Sequence, residues 1–201
     1  MTDIVLATKN DGKIKEIEHA LSLGFINWLD YTDFNAWPKF DESGDTFKAN
    51  ARIKAAGVAK YLSTPAIADD SGLEVDELNG MPGILSSRFA GPDADDAKNN
   101  RKLLEMLKDT PYDKRTARFR CVLALLFPNG AEYFAEGVVK GHIAFELSGT
   151  EGFGYDPVFI PEGFENTMAD IPLAEKNRIS HRGRALAEMR KILVQLFGQV
   201  A

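Results

Sequence analysis

Apolar residues fall along this chain in two rhythms, short unbroken runs and stripes at helical spacing. Asp3 to Ala7 is an apolar run that reads as a buried strand, and Thr8-Lys9-Asn10-Asp11-Gly12 follows as a loop. A helix begins near Lys13, with Ile14, Ile17 and Leu21 on one face. Phe25 to Tyr31 reads as the next strand and Phe34 to Gly44 as a loop. A second helix starts near Asp45-Thr46, whose side-chain oxygens can cap it, and carries the stripe Phe47, Ala51, Ala55, Val58, Leu62. Ala66-Ile67-Ala68 is a short buried strand running into Asp69-Asp70-Ser71-Gly72, which reads as a turn at a sheet's carboxyl edge. Asn79 to Pro92 holds three glycines and two prolines and is irregular, while Ala94 to Leu107 spaces Leu103, Leu104 and Leu107 as a helix does. Arg115 to Phe127 and Ala131 to Phe145 are long β-rich runs joined by Pro128-Asn129-Gly130, the pattern of a hairpin. Gly149 to Asp156 is a loop before a strand at Val158 to Ile160, and the last helix covers Arg182 to Phe197. Strands that alternate with helices early, then a long hairpin, predict a mixed α/β sheet flanked by helices rather than a strictly parallel, doubly wound one.

Length and composition narrow the class. The 201 residues suit one domain of two lobes, long enough to bury a core without staples. No internal repeat or linker divides the chain. Cys121 is the only cysteine, which excludes an internal disulfide framework and a cysteine-rich zinc site. The longest apolar run, Cys121 to Phe127, is too short to cross a bilayer, and Met1 to Ala7 lacks the pattern of a signal peptide. The expectation is a reduced, cytoplasmic protein with no membrane partner. A net charge of −6 argues against nucleic acid as a partner. It leaves room for one small anionic ligand held by a few placed cations.

Four segments break the local pattern. Thr8, Lys9, Asn10, Asp11, Gly12 and Lys13 put backbone N–H groups, a hydroxyl, an amide and two ammonium groups at a helix N-terminus, a recipe for a phosphate site. A capped turn with solvated lysines fits the same residues. Asp41 and Glu42 in one loop, with Asp69 and Asp70 at a strand end, are carboxylates from separate segments that can hold Mg²⁺ and activate water. Capping carboxylates in an Asp-turn are the alternative. Gly152-Phe153-Gly154-Tyr155-Asp156 holds two aromatics among glycines, able either to stack on a purine or to plug a core. Lys176 precedes the last helix, Ser180 is a natural cap for it, and His181 and Arg182 sit on its first turn, where cations oppose the helix dipole; a ligand would explain them, and a solvated basic turn is the alternative. Asn50 and Lys54, four residues apart on the second helix, can reach the same rim as the first loop, although a lysine that snorkels to solvent is the more common case.

Taken in order, Leu6 to Lys13, Asp45 to Ala51, Ala68 to Asp76, Asn79 to Ile84, Gly152 to Pro157 and Ser180-His181-Arg182 resemble the inosine triphosphate pyrophosphatase family across essentially the whole chain. The resemblance implies a long mixed sheet bent into two lobes with a central cleft, a homodimer, and hydrolysis of dITP, ITP and XTP to monophosphate and pyrophosphate. By the same likeness, Thr8 to Lys13 and Lys54 hold the triphosphate, Ser71 touches the substrate, and Asp70 accepts the proton from water. Asp41, Glu42, Asp69 and Asp70 form the Mg²⁺ set. Phe153, Gly154, Tyr155, Asp156, Lys176, His181 and Arg182 receive the base. Lys9 departs from the family pattern, standing where many relatives have glycine.

Overall fold

The computed structural model describes residues 1–198, without the side chains of Leu173, Ala174 and Asn177. The strands are β1 (Thr2–Leu6), β2 (Ile26–Leu29), β3 (Ala66–Val75), β4 (Thr116–Leu126), β5 (Glu132–Ile143) and β6 (Phe159–Pro161). The helices are α1 (Asp11–Ala20), α2 (Phe47–Leu62), α3 (Asp96–Met106), α4 (Leu173–Ile179) and α5 (His181–Phe197). One six-stranded sheet runs in the order β2-β1-β3-β4-β5-β6. β1 pairs in parallel with both β2 and β3, and β5 pairs antiparallel with β6. The sheet is therefore mixed, as the early alternation and the central hairpin require.

Two compact units share this sheet along the chain. The first comprises Met1–Asp70, Cys121–Gly137 and the chain from Gly183; the second comprises Ser71–Arg120 and Val138–Arg182. The first unit's core packs Ile4 and Leu6 of β1, Ile14 and Ile17 of α1, Leu123 and Leu125 of β4, and Leu186, Met189 and Leu193 of α5. The second unit's core gathers Leu73 and Val75, Leu103 and Leu107, Phe119, Val139, Ile143, Tyr155 and Phe159. Phe119 and Phe159 meet edge to face with centroids 4.6 Å apart.

Local chemistry explains most boundaries. Asn10 caps α1 by accepting from the Lys13 amide at 3.1 Å, so the helix starts at Asp11 rather than near Lys13. Thr46 caps α2 in the same way through the Ala49 amide. Phe127 N–H donates to Ala131 O at 2.9 Å and closes the hairpin turn. One expectation fails at β3. Asp69-Asp70-Ser71-Gly72 is no turn but the middle of a ten-residue strand, continued by the buried Leu73 and Val75. Tertiary pairing overrides the turn preference of Ser and Gly. α4 is also an addition, because seven residues leave too short a stripe to read.

The second unit holds a buried cation that is met by backbone carbonyls. Arg115 donates to the carbonyls of Ile143 (2.8 Å), Leu107 (2.7 Å) and Ala144 (2.7 Å). Burial pulls its guanidinium below the ordinary arginine value. Arg115→Ala strands these three acceptors, so it should cost about 3 kcal/mol or more of unfolding free energy in urea titrations. A loss below about 1 kcal/mol would show that the three carbonyls find other donors.

Candidate active site

The first unit carries a phosphate-type loop and a charge cluster. Ala7 N–H donates to Ile67 O and Thr8 N–H to Leu6 O, which brings the chain off β1 straight into the α1 cap. Asn10 N–H is held by Thr8 Oγ1 at 3.1 Å. Lys9, Asn10, Asp11 and Gly12 are exposed at the helix N-terminus, where unpaired N–H groups favour an anion. Asp11 accepts from the Tyr31 hydroxyl at 3.1 Å, and this bond raises the Tyr31 pKa.

Asp69 is only 2% exposed and pairs with Lys13 Nζ at 2.9 Å. Its neighbour Asp70 turns to the opposite face of β3, where its Oδ1 meets Lys54 Nζ at 3.0 Å. The same ammonium lies 3.4 Å from Glu42 Oε2. Lys54 is therefore a buried bridge between two carboxylates, not a snorkelling surface lysine. Burial raises the Asp70 pKa against the pull of Lys54, with Asp69 and Glu42 adding to the rise. Burial tends to lower the Lys54 pKa, but Asp69, Asp70 and Glu42 outweigh it and raise the value. Asn50 does not face the phosphate loop: its Oδ1 accepts from Gly44 N–H at 2.8 Å and ties the Glu42 loop to α2. A Cβ at Gly44 would come within 2.7 Å of that oxygen, so the close approach needs glycine.

Among the described residues no three His, Cys, Asp or Glu side chains converge closely enough to hold a metal ion. The four acids named from sequence are thus not one preassembled cage. Asp69 is engaged by Lys13, Asp41 is exposed and pairs with neither lysine, and Glu42 and Asp70 converge on Lys54. That pair still fits Mg²⁺, which takes one or two carboxylates and fills the rest of its shell with water and phosphate oxygens. The Lys54 ammonium already shows that a cation is stable between them.

The second unit holds the other predicted residues. Asp156 Oδ2 accepts from Lys176 Nζ at 2.6 Å and from Phe153 N–H at 3.1 Å. Gly152 has φ +86°, and a Cβ there would overlap Lys176 Nζ and Asp156 Oδ2, so the buried ion pair requires glycine. The Phe153 ring is 51% exposed, with Lys176 Nζ at 5.8 Å and the Arg182 guanidinium at 5.6 Å from its centroid. Arg182, buried in the first turn of α5, donates to Ser71 Oγ at 3.3 Å. His181 stacks on Phe119 with centroids 4.7 Å apart. Tyr155 corrects the expectation of two stacking aromatics. It is 3% exposed and belongs to the core, its hydroxyl donates to Ser86 O at 2.8 Å, and burial followed by Asp96 raises its pKa. Only Phe153 offers a face. Sequence reading missed Asp96 and Asn100, which hold the Gly154 peptide from α3. Their one local signal was the Asn99-Asn100 pair, poor helix formers inside a helix.

The Ham1 family model matches residues 4–192. A dITP/XTP pyrophosphatase of Listeria monocytogenes is 48% identical over 200 residues, covering 100% of this chain and 98% of its own length. A dITP/XTP pyrophosphatase of Desulforamulus reducens is 46% identical, covering 96% of each chain. A solved HAM1 protein from Coxiella burnetii superposes with TM-score 0.91 at 43% identity, covering 97% of this chain and 100% of that one. The solved Staphylococcus aureus Ham1 protein gives 0.90 at 37% identity with the same coverage.

If Lys54 is the cation between Glu42 and Asp70, Lys54→Met leaves two carboxylates facing each other. Stability should fall by about 1–3 kcal/mol in urea titrations, and millimolar Mg²⁺ should restore more of it in the variant than in the parent. Equal Mg²⁺ responses in the two proteins would count against a cation position there.

Proposed function

The chain belongs to the Ham1 family, and from that membership and its two side-chain clusters we propose that it hydrolyses non-standard purine nucleoside triphosphates to monophosphate and pyrophosphate. The substrates are dITP, ITP and XTP or dXTP, which the enzyme removes from the nucleotide pool. The observation that carries the reading is the convergence of Glu42 and Asp70 on Lys54, beside the Lys13–Asp69 pair at the cap of α1. The phosphate and metal residues of this reading lie in the first unit and the base residues in the second. A single buried thiol, Cys121, suits a reducing cytoplasm. No helix among the described residues is long and apolar enough to cross a membrane. We take the assembly to be a homodimer, for which Phe145 and Leu147 are exposed apolar side chains to cover.

In this mechanism Thr8 to Lys13 cradle phosphate oxygens with the N–H groups and ammoniums of the α1 cap, and Lys54 adds a third cation. Glu42 and Asp70 are the carboxylates that would hold Mg²⁺, with Asp69 keeping Lys13 in place. When bound, Mg²⁺ neutralises charge on phosphate oxygens and on the departing pyrophosphate. Asp70 Oδ1 is the oxygen that meets a cation, Lys54 in this structure, which leaves Oδ2 to take a proton from water. The water oxygen bonds to the α-phosphorus, the bond to the bridging oxygen breaks, and its electron pair leaves with pyrophosphate. Burial makes the Asp70 carboxylate more basic than an exposed aspartate, in the direction a general base needs.

At the base, Phe153 offers its ring face and Lys176, His181 and Arg182 offer donors. Hypoxanthine and xanthine carry an acceptor at position 6, whereas adenine carries an amino donor. A buried donor facing that amino group stays unsatisfied, at about 1–3 kcal/mol for each such group.

Pyrophosphate release from ITP, XTP, ATP and GTP, with and without Mg²⁺, tests the reading. Mg²⁺-dependent release from ITP and XTP with little from ATP is expected, and GTP, which shares the 6-oxo acceptor, shows whether position 2 is read as well. Release from ATP as fast as from ITP would discard the base-selection argument, and none from ITP despite binding would discard catalysis. Asp70→Asn should keep ITP binding and lose roughly 100-fold or more in turnover, and a fully active variant would remove Asp70 as the base.

A further inference from the structure

Phe153 lies in a loop that should be slack. Gly149, Gly152 and Gly154 all have positive φ, at +81°, +86° and +64°. Glycines of this kind give a loop many conformations of similar energy. Yet each peptide around Phe153 is held by a side chain. Phe153 N–H donates to Asp156 Oδ2 at 3.1 Å, which fixes the peptide before it. Gly154 N–H donates to Asp96 Oδ2 at 2.7 Å, which fixes the peptide after it. Asn100 Nδ2 donates to Gly154 O at 2.7 Å and fixes the next one. The backbone angles of Phe153 and Gly154 are therefore set by Asp156, Asp96 and Asn100 together.

Asp96 and Asn100 stand one turn apart on α3, and that helix is itself pinned. Asn99 accepts from Ala90 N–H at 2.8 Å and donates to Ser87 O at 3.2 Å, while Lys102 Nζ donates to Phe89 O at 2.6 Å. Tyr155, at the far end of the loop, donates to Ser86 O, beside Ser87 in the 3-10 segment Gly83–Arg88. Asn100 is buried, and its Oδ1 has no hydrogen-bond partner among the described residues. An amide that leaves its acceptor orphaned in order to aim its donor at Gly154 O has been placed for that contact. No Cβ clash demands glycine at Gly154, so it is the left-handed turn between the two α3 contacts that does.

We infer that Asp96 and Asn100 are positioning residues that fix the Gly152–Tyr155 loop, and with it the Phe153 face, for the purine. This rests on the function proposed above. Their removal should loosen base binding and base discrimination rather than the chemical step, since neither belongs to the Glu42–Asp70 cluster.

The test compares the full-length parent with Asp96→Ala, Asp96→Asn and Asn100→Asp. Asp96 is exposed, so Asp96→Ala should fold as the parent does. It should raise KM for ITP about tenfold with kcat within about threefold, and narrow the preference for ITP over ATP. Asp96→Asn keeps an acceptor for the Gly154 amide and should restore parent behaviour. Asn100→Asp sets a carboxylate against Gly154 O and should repeat the Asp96→Ala pattern. Amide hydrogen exchange at Gly154 gives a readout independent of turnover, slow in the parent and faster in Asp96→Ala. Unchanged KM, unchanged preference or equal exchange in parent and Asp96→Ala would overturn the inference. Should the parent release no pyrophosphate from ITP, the proposed function falls by itself, and the exchange comparison still decides whether α3 positions the loop.

Discussion

The carboxylates of Asp69 and Asp70 sit in the middle of β3, inside a sheet, and the rest of the site follows from the need to keep them charged there. A carboxylate taken out of water costs several kcal/mol unless a partner compensates it. Successive residues of a strand point to opposite faces, so two adjacent acids need two separate cations. Lys13 from the first turn of α1 meets one, and Lys54 from the middle of α2 meets the other. The capping of α1 by Asn10 and of α2 by Thr46 places those lysines, because each cap sets where its helix begins. The Glu42 loop, anchored through Gly44 to Asn50, adds a third carboxylate to the second pair.

The second unit meets a related constraint on neutral backbone groups. Buried backbone there is irregular between strands, and irregular backbone must find donors and acceptors from side chains. Arg115 supplies donors to carbonyls of Leu107, Ile143 and Ala144, and the α3 amides and lysine do the same for residues 87–90. The loop around Phe153 is the part of this network that carries an exposed aromatic face. Its glycines make the backbone path possible, and the side chains of Asp156, Asp96 and Asn100 select one conformation from the many glycine permits.

Much of this was legible in the sequence, for local reasons. The cap of α2, the apolar stripes of α2 and α5 and the hairpin turn are written within a few residues of where they act. The Ham1 match agrees with the family resemblance carried by six short motifs in order. What escaped reading depended on distant partners. Asp69 to Gly72 looks like a turn until β1 and β4 are in place on either side of the strand. Tyr155 looks like a companion of Phe153 until Ser86 O is found to hold its hydroxyl. Asp96 and Asn100 lie more than fifty positions from the glycine they hold, and no periodicity joins them.

Charge arithmetic joins the two roles of the lysines. Lys13 and Lys54 against Glu42, Asp69 and Asp70 leave one net negative charge in the cluster. A bare polyphosphate would meet that charge as a repulsion, and a bare divalent cation would compete with Lys54 for Glu42 and Asp70. Supplied together, a divalent cation would be held by Glu42 and Asp70, and Lys54 would be left for the phosphate oxygens. On the proposed function, metal and triphosphate therefore favour one another through Lys54, and linkage makes that favour mutual. The ion pairs that keep Asp69 and Asp70 charged within the sheet are then the groups from which the loaded site is assembled.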